Sequence, residues 1–216
     1  MSTDRGLDLP MPAEPGGIVG PRLQRAFFAR PVLEVARACI GKVVVHAGPD
    51  GVVAGRIVET EAYRGPEDLA AHSAGGRRTR RTEVMYGPPG RTYMFLLYGM
   101  HWALNFVVGE PGEPHAVLVR AIEPVLGLDA MRARRGPRVG DRNLTSGPGK
   151  LCQALGLDGA AYGEDLCGSR LWLEDGRAGA VGRSSRINVD YAGEWASRPW
   201  RFFERGNPHV SVAPRT

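Results

Sequence analysis

Two β-branched runs, residues 42–46 (KVVVH) and 52–63, flank Gly48-Pro49-Asp50-Gly51, and this arrangement constrains the fold more than any other stretch. Pro-Asp-Gly supplies turn geometry, while Val and Ile suit pleated, half-buried backbone, so the segment predicts a β-hairpin. No later part of the chain alternates strand with helix in the manner of βαβ units. Residues 93–108 read as two strands joined at Tyr98-Gly99, and residues 116–121 as a third. Shorter strand-like pieces follow at 171–174, 186–189, 202–205 and 209–212. Helices are expected where Pro31 opens and Gly41 closes PVLEVARACIG, from about 124 to 135, and at KLCQALG after Ser146-Gly147-Pro148. The pattern predicts an α+β domain with a mostly antiparallel sheet. With 216 residues of which 43% are hydrophobic, one domain with a real core is expected.

Cys39, Cys152 and Cys167 are odd in number, far apart and outside any metal-ligand spacing, as are the five histidines. They predict a reducing, cytoplasmic setting with each thiol a small buried residue. The Pro- and Gly-rich first 20 residues have no basic and apolar regions of a signal peptide and read as a flexible tail. The apolar stretch 93–108 is shorter than the ~20 residues of a spanning helix and contains Gly99, His101 and Asn105, so it is expected to be soluble core, with no membrane association.

Between the strands, residues 64–91 make a long excursion rich in Gly, Pro and Arg, with one helical turn expected at 66–71. Long ordered loops within a domain usually carry function. This one holds Arg77, Arg78, Arg80 and Arg81 around Thr79, with Tyr86 nearby. The net charge of +5 comes from 26 arginines and only two lysines, Lys42 and Lys150. Arginine forks and hydroxyls suit phosphate oxygens, whereas the bland reading is a solvated loop. Contacts of this kind hold a polyanion without choosing its sequence.

If residues 57–63 form a strand, Glu59, Glu61 and Tyr63 share one face and Val58, Thr60 and Ala62 the other. Two carboxylates and an aromatic at the mouth of a long loop fit a carboxylate in the wall of an aromatic pocket, suited to general-base work on water. His72 is close enough in sequence to join that pocket. The competing reading is the polar face of a solvated edge strand. At the expected hairpin tip, Tyr98 and Met100 are large groups where a turn would expose them, and such side chains serve as wedges between base steps.

These features and their spacings resemble the alkyladenine (3-methyladenine) DNA glycosylase family, the metal-free monofunctional type first known from mammals. The matching text is GRIVETEAYRGPEDLAAHS at 55–73, Tyr98-Gly99-Met100 with Asn105, LVRAIEP at 118–124, SGPGKLCQALG at 146–156 and AGEWASRPWRFFERGNPHVSV at 192–212. It covers roughly residues 22–213, so residues 21–216 are expected to be the glycosylase domain. The resemblance implies a curved antiparallel sheet like that of a formyltransferase C-terminal domain, with a protruding β-hairpin. It implies a base-excision repair enzyme, acting as a monomer without cofactor or metal on double-stranded DNA containing damaged purines. In a bacterial cell it would be nucleoid-associated.

Residue by residue, the resemblance makes Glu61 the general base and Arg120 the holder of the attacking water. Tyr63 and His72 become walls of the base pocket, and Tyr98 the residue that fills the gap in the duplex, with Met100 beside it at the tip. Asn105 matches the asparagine that disfavours guanine. Phe95 departs from the mammalian tyrosine, keeping the π-face and losing the hydroxyl. Glu59 matches no catalytic position. Two non-glycosylase readings stand beside this one. A damaged-DNA-binding module without chemistry would lack Glu61. An O-glycosidase using Glu59 and Glu61 fails on geometry, because same-face residues two apart lie about 7 Å apart on one wall. With Lys42 and Lys150 far in sequence from Glu61, Tyr63 and His72, Schiff-base lyase chemistry is not expected.

Overall fold

The computed structural model describes residues 18–212. Its organising unit is the expected hairpin: β1 (Val43–Gly48) and β2 (Gly51–Arg64) pair antiparallel and close through Gly48 and Gly51. With β3 (Thr92–Leu97), β4 (His101–Val108), β5 (His115–Leu126), β6 (Leu171–Glu174), β7 (Val181–Ser184) and β8 (Arg201–Glu204), it builds an eight-stranded sheet in which every pairing is antiparallel. The order is β3-β4-β5-β2-β1-β6, with β8 joined to β2 and β7 to β8. Among the described residues five short α-helices complete an α+β domain: α1 (Arg25–Phe28), α2 (Val32–Ala38), α3 (Leu128–Arg135), α4 (Asp141–Leu144) and α5 (Pro148–Leu155). None of the described helices is long and apolar enough to cross a membrane.

β2 lies in the interior of the sheet. β5 covers one of its edges from Ala54 to Arg64, and the other edge is shared, β1 pairing with its first half and β8 with Glu59, Thr60 and Glu61. The solvated-edge reading of Glu59 and Glu61 is therefore overturned. Both side chains are fully buried.

A bulge makes this possible. The register with β5 slips between Ile57 and Glu59 and again between Glu59 and Thr60. Ile57 belongs to the main core, and so do Ala62 and, through a 2.8 Å hydrogen bond to the Ala36 carbonyl of α2, Thr60. The extra residue absorbed by the bulge lets a fourteen-residue strand switch faces midway. Glu59, Glu61 and Tyr63 are thus turned away from the apolar core.

Alternation divides the remaining strands in the same way. Met94, Leu104, Phe106, Val117 and Val119 join Phe28, Val35, Leu151 and Leu155 in the core under α1, α2 and α5. Tyr93, Phe95, Val107 and Ala116 form a separate cluster on the opposite face with Met85 from the long loop. One face of the sheet makes the core and the other makes the site.

Several boundaries differ from expectation. The 31–41 helix is shorter, because Gly41 turns the chain into the sheet with φ +88 and gives its N–H to the Ile57 carbonyl; a Cβ there would sit 2.4 Å from the Ala178 backbone. The helix expected from 124 begins only at Leu128, since Pro124 and Leu126 still pair with Gly55 and Ala54. Residues 66–71 form turns, and the single helical turns of the loop fall at Ala74–Gly76 and Glu83–Tyr86. Residues 186–189 and 209–212 are irregular, their polar groups being drawn to buried carboxylates. Cys167 is exposed, while Cys39 and Cys152 are buried with thiols pushed up to about 12 by burial. Residues 1–17 of the expected tail lie outside the described residues; Val19 and Gly20 are docked by N–H groups on Glu174 Oε2.

Candidate active site

The register places Tyr93 opposite Asn105, Asn105 opposite Leu118 and Leu118 opposite Glu61, a single row across β3, β4, β5 and β2. To either side of this row stand Tyr63, paired with Ala116, and Arg120, at the register slip beside Glu59. Residues that are scattered over 60 positions in sequence meet because four antiparallel strands present one parity to one side.

At the inner end of this row two arginines and two glutamates form a buried cluster. Arg120 donates from Nε to Glu59 and from Nη1 to Glu61 Oε2, each at 3.2 Å. Arg201 donates from Nε to Glu59 at 2.7 Å, and the Ser211 N–H reaches the second Glu59 oxygen at 2.6 Å. Charge is balanced, which a buried cluster requires. Glu59 gains a role that sequence did not reveal: it grips Arg120 from the Nε side and so aims Nη1 at Glu61. Glu61 accepts two further bonds, from the Tyr63 hydroxyl to Oε2 at 2.8 Å and from the Ile187 N–H to Oε1 at 2.7 Å. Burial, followed by the Glu61 charge, raises the Tyr63 phenol well above its ordinary pKa, so it stays a donor.

Outside the cluster lies a cavity of about 530 Å³. Tyr63, His72, Tyr93, Phe95, Asn105 and Arg120 line it. Of the residues singled out in sequence, Tyr63, His72, Phe95, Asn105 and Arg120 are thus brought together at one cavity, and Glu61 lies one layer behind Tyr63 and Arg120. Tyr93 was not anticipated. Its hydroxyl shares a 2.8 Å hydrogen bond with His72 Nδ1, and its ring stacks on Phe95 at 5.5 Å. His72 meets Phe95 edge-on at 4.5 Å. Burial first, then the charges of Arg81 and Arg77, lower the His72 pKa to about 4, leaving a neutral imidazole. Asn105 is pinned by Nδ2 bonds to the carbonyls of Tyr93 and Ala103, at 3.0 and 3.4 Å. Its amide plane is thereby fixed, with Oδ1 the unengaged end.

At the outer rim, β3 and β4 meet in a turn with φ 51 at Tyr98 and φ 71 at Gly99, closed by the Met100 N–H to Leu97 carbonyl bond. Positive φ at both central positions is the type I′ pattern, rare for tyrosine. Tyr98 is 78% and Met100 71% exposed, as the sequence predicts. The four loop arginines are exposed but not equivalent. Arg78 is held bidentately by Glu83 at 2.6 and 2.9 Å and stacks on Tyr86. Arg77, Arg80 and Arg81 have no carboxylate partner among the described residues. The Tyr162 hydroxyl, bonded to the carbonyls of Arg80 and Arg81, fastens this loop to the domain.

Lys150 corrects one expectation. Distant in sequence from Glu61, Tyr63 and His72, it lines the same cavity beside Gly147, Pro148 and Gly149 at the start of α5. Two other residues were missed. Ile187 contributes a backbone N–H, which leaves no trace in sequence. Tyr93 could have been found as the same-face neighbour of Phe95, two positions away.

A family model described as methylpurine-DNA glycosylase matches residues 26–208. A protein of Desulfitobacterium hafniense (strain Y51), provisionally named a 3-methyladenine DNA glycosylase, is 48% identical over 200 residues, 88% of this chain and 98% of that protein. DNA-3-methyladenine glycosylase of Homo sapiens is 45% identical over 208 residues, 90% of this chain and 69% of the human protein. The Mus musculus protein of the same name is 43% identical over 226 residues, 98% of this chain and 66% of its own.

Proposed function

The chain belongs to the methylpurine-DNA glycosylase family, as a DNA-3-methyladenine glycosylase of base-excision repair, and we propose that it hydrolyses the N-glycosidic bond of flipped alkylated or deaminated purines with a water activated by Glu61. Its substrates in this reading are 3-methyladenine, 7-methylguanine, hypoxanthine and 1,N6-ethenoadenine in double-stranded DNA, and its product is an abasic site. The proposed acting unit is the monomer.

The observation that carries the reading is the placement of Glu61 directly behind the aromatic cavity, bonded to the Arg120 and Tyr63 side chains of its wall. Tyr63, His72 and Phe95 offer π-faces and edges to a planar base, and electron-rich rings favour one that is cationic. A neutral His72 adds no positive charge to repel such a base. Asn105, with Oδ1 unengaged, is the specificity group. A carboxylate has about four acceptor positions. Those of Glu61 Oε2 are taken by Tyr63 and Arg120, while Oε1 holds only the Ile187 N–H and keeps a lone pair for a water proton. Arg120, which lines the cavity, is the matching donor. An alkylated purine is already a good leaving group, so positioning and one base suffice. Tyr98 and Met100 wedge the duplex open, and Arg77, Arg78, Arg80 and Arg81 meet its phosphates.

The test is incubation with duplexes each carrying one of the four lesions, followed by alkaline cleavage of abasic sites. Strand breaks at the lesion are expected. Binding without any breaks would replace the enzyme with a damage-binding module.

A further inference from the structure

A second buried ion pair lies on the far side of Tyr63. Asp68 and Arg186 are 0% and 5% exposed. Arg186 donates from Nη1 to Asp68 Oδ2 and from Nη2 to Oδ1, and the same two nitrogens reach the carbonyls of Ala62 at 3.0 Å and Trp195 at 3.1 Å, while its buried Nε has no partner among the described residues. Asp68 is filled in turn by the N–H groups of Arg64 and Ala70. The guanidinium carbon stands 4.8 Å from the Tyr63 ring centroid and 5.2 Å from that of Trp200. Tyr63 lines the cavity and Arg186 does not, so the cation covers the ring face turned away from the base. Excision chemistry as derived above makes no use of this pair.

We infer that Arg186 is a specificity-determining residue: by holding a guanidinium against the back of Tyr63, it draws ring electron density away from the cavity and lowers the preference for cationic over neutral purines. A π-face attracts a cation through its quadrupole, and a cation already seated on one face weakens the attraction at the other. Asp68 cancels the charge of the pair at a distance but not next to the ring, because the positive end is the one against Tyr63. The same sequence that builds a cage for charged lesions thus limits how far it favours them, leaving room for uncharged bases. This role rests on the excision reading.

The readout is the ratio of single-turnover excision rates on 7-methylguanine, which is cationic, and 1,N6-ethenoadenine, which is neutral. A purely structural loss lowers both rates together and leaves the ratio alone. In the double variant Asp68→Asn/Arg186→Gln the ratio should rise roughly three- to tenfold. In Asp68→Asn alone, where the guanidinium loses its counter-charge, it should fall. Arg186→Lys, which keeps the cation, should stay near the wild-type ratio whatever its rates. If the amide pair does not fold, Asp68→Leu/Arg186→Met, apolar and of similar volume, replaces it with the same expected rise. An unmoved ratio in a folded double variant, or a fall, overturns the role of Arg186. If the wild type releases neither base, the excision reading itself has failed, which is a separate result.

Discussion

The Tyr63 hydroxyl donates to Glu61 Oε2 at 2.8 Å, so the wall of the base cavity and the carboxylate behind it are a single hydrogen-bonded unit. Replacing Glu61 by Gln preserves the shape and removes the base. Excision of every lesion should fall by about 10²- to 10⁴-fold while binding of lesion duplex is retained. Tyr63→Phe keeps the ring and removes one of three donors to Glu61, so its loss should be much smaller. Single-turnover rates with a parallel binding measurement separate the two, and wild-type rates in Glu61→Gln would remove it from the mechanism.

His72 gives a pH dependence with a definite sign. Its ordinary value of 6.5 is lowered to about 4 in the folded protein, chiefly by burial and then by Arg81 and Arg77. The unfolded chain therefore binds a proton that the folded chain refuses. The stability linked to His72 is complete above pH 6.5 and is lost as pH falls toward 4. Urea unfolding at pH 7 and pH 4.5 should show a smaller drop for His72→Gln than for the wild type. Equal drops would mean that His72 titrates normally.

The loop arginines should differ in their salt signature. Arg78 is already neutralised by Glu83, whereas Arg77, Arg80 and Arg81 are free of such partners among the described residues. Each lost phosphate contact reduces the slope of log K against log salt by about 0.9. Arg81→Ala should reduce it by about that amount and Arg78→Ala by clearly less. A larger change at Arg78 would show that Glu83 releases it on binding DNA.

Strand patterning, turn chemistry and motif spacing made most of this molecule legible in sequence. The β1–β2 hairpin, the Tyr98 tip and the shared face of Glu59, Glu61 and Tyr63 all follow from local rules. What was not legible depends on neighbours distant in the chain. Whether β2 is an edge or interior strand is decided by β5 and β8, which arrive 50 to 140 residues later. Ile187 acts through its backbone, so no side chain marks it. Sequence distance placed Lys150 away from a cavity that it lines. Residues 186–189 look β-branched enough for a strand, yet the buried Asp68 takes Arg186 and the loop follows.

Tyr98 holds φ 51 and is 78% exposed, an arrangement with two local costs that a packing contact would offset. A wedge in a duplex would supply that contact. Tyr98→Ala should therefore weaken excision from double-stranded DNA far more than from a single strand, where no stack has to be filled. Tyr98→Gly should stabilise the isolated protein slightly, since glycine adopts positive φ freely. Equal losses on both substrates would assign Tyr98 to general DNA affinity instead.

Lys150 supplies the sharpest test of reaction type. Among the described residues it is the one amine lining the cavity, and a lysine close to an abasic aldehyde is the group that would form a Schiff base and carry strand cleavage by elimination. Its Nζ lies 3.4 Å from Asn143 Oδ1, beside the half-buried first residues of α5. That position suits a phosphate contact, which requires the charged ammonium, whereas Schiff-base attack requires the neutral amine. Borohydride added during turnover should trap no covalent complex with DNA, and Lys150→Gln should weaken duplex binding with excision of bound lesions nearly unchanged. A trapped complex in the wild type that disappears in Lys150→Gln would make the protein a lyase as well as a hydrolase.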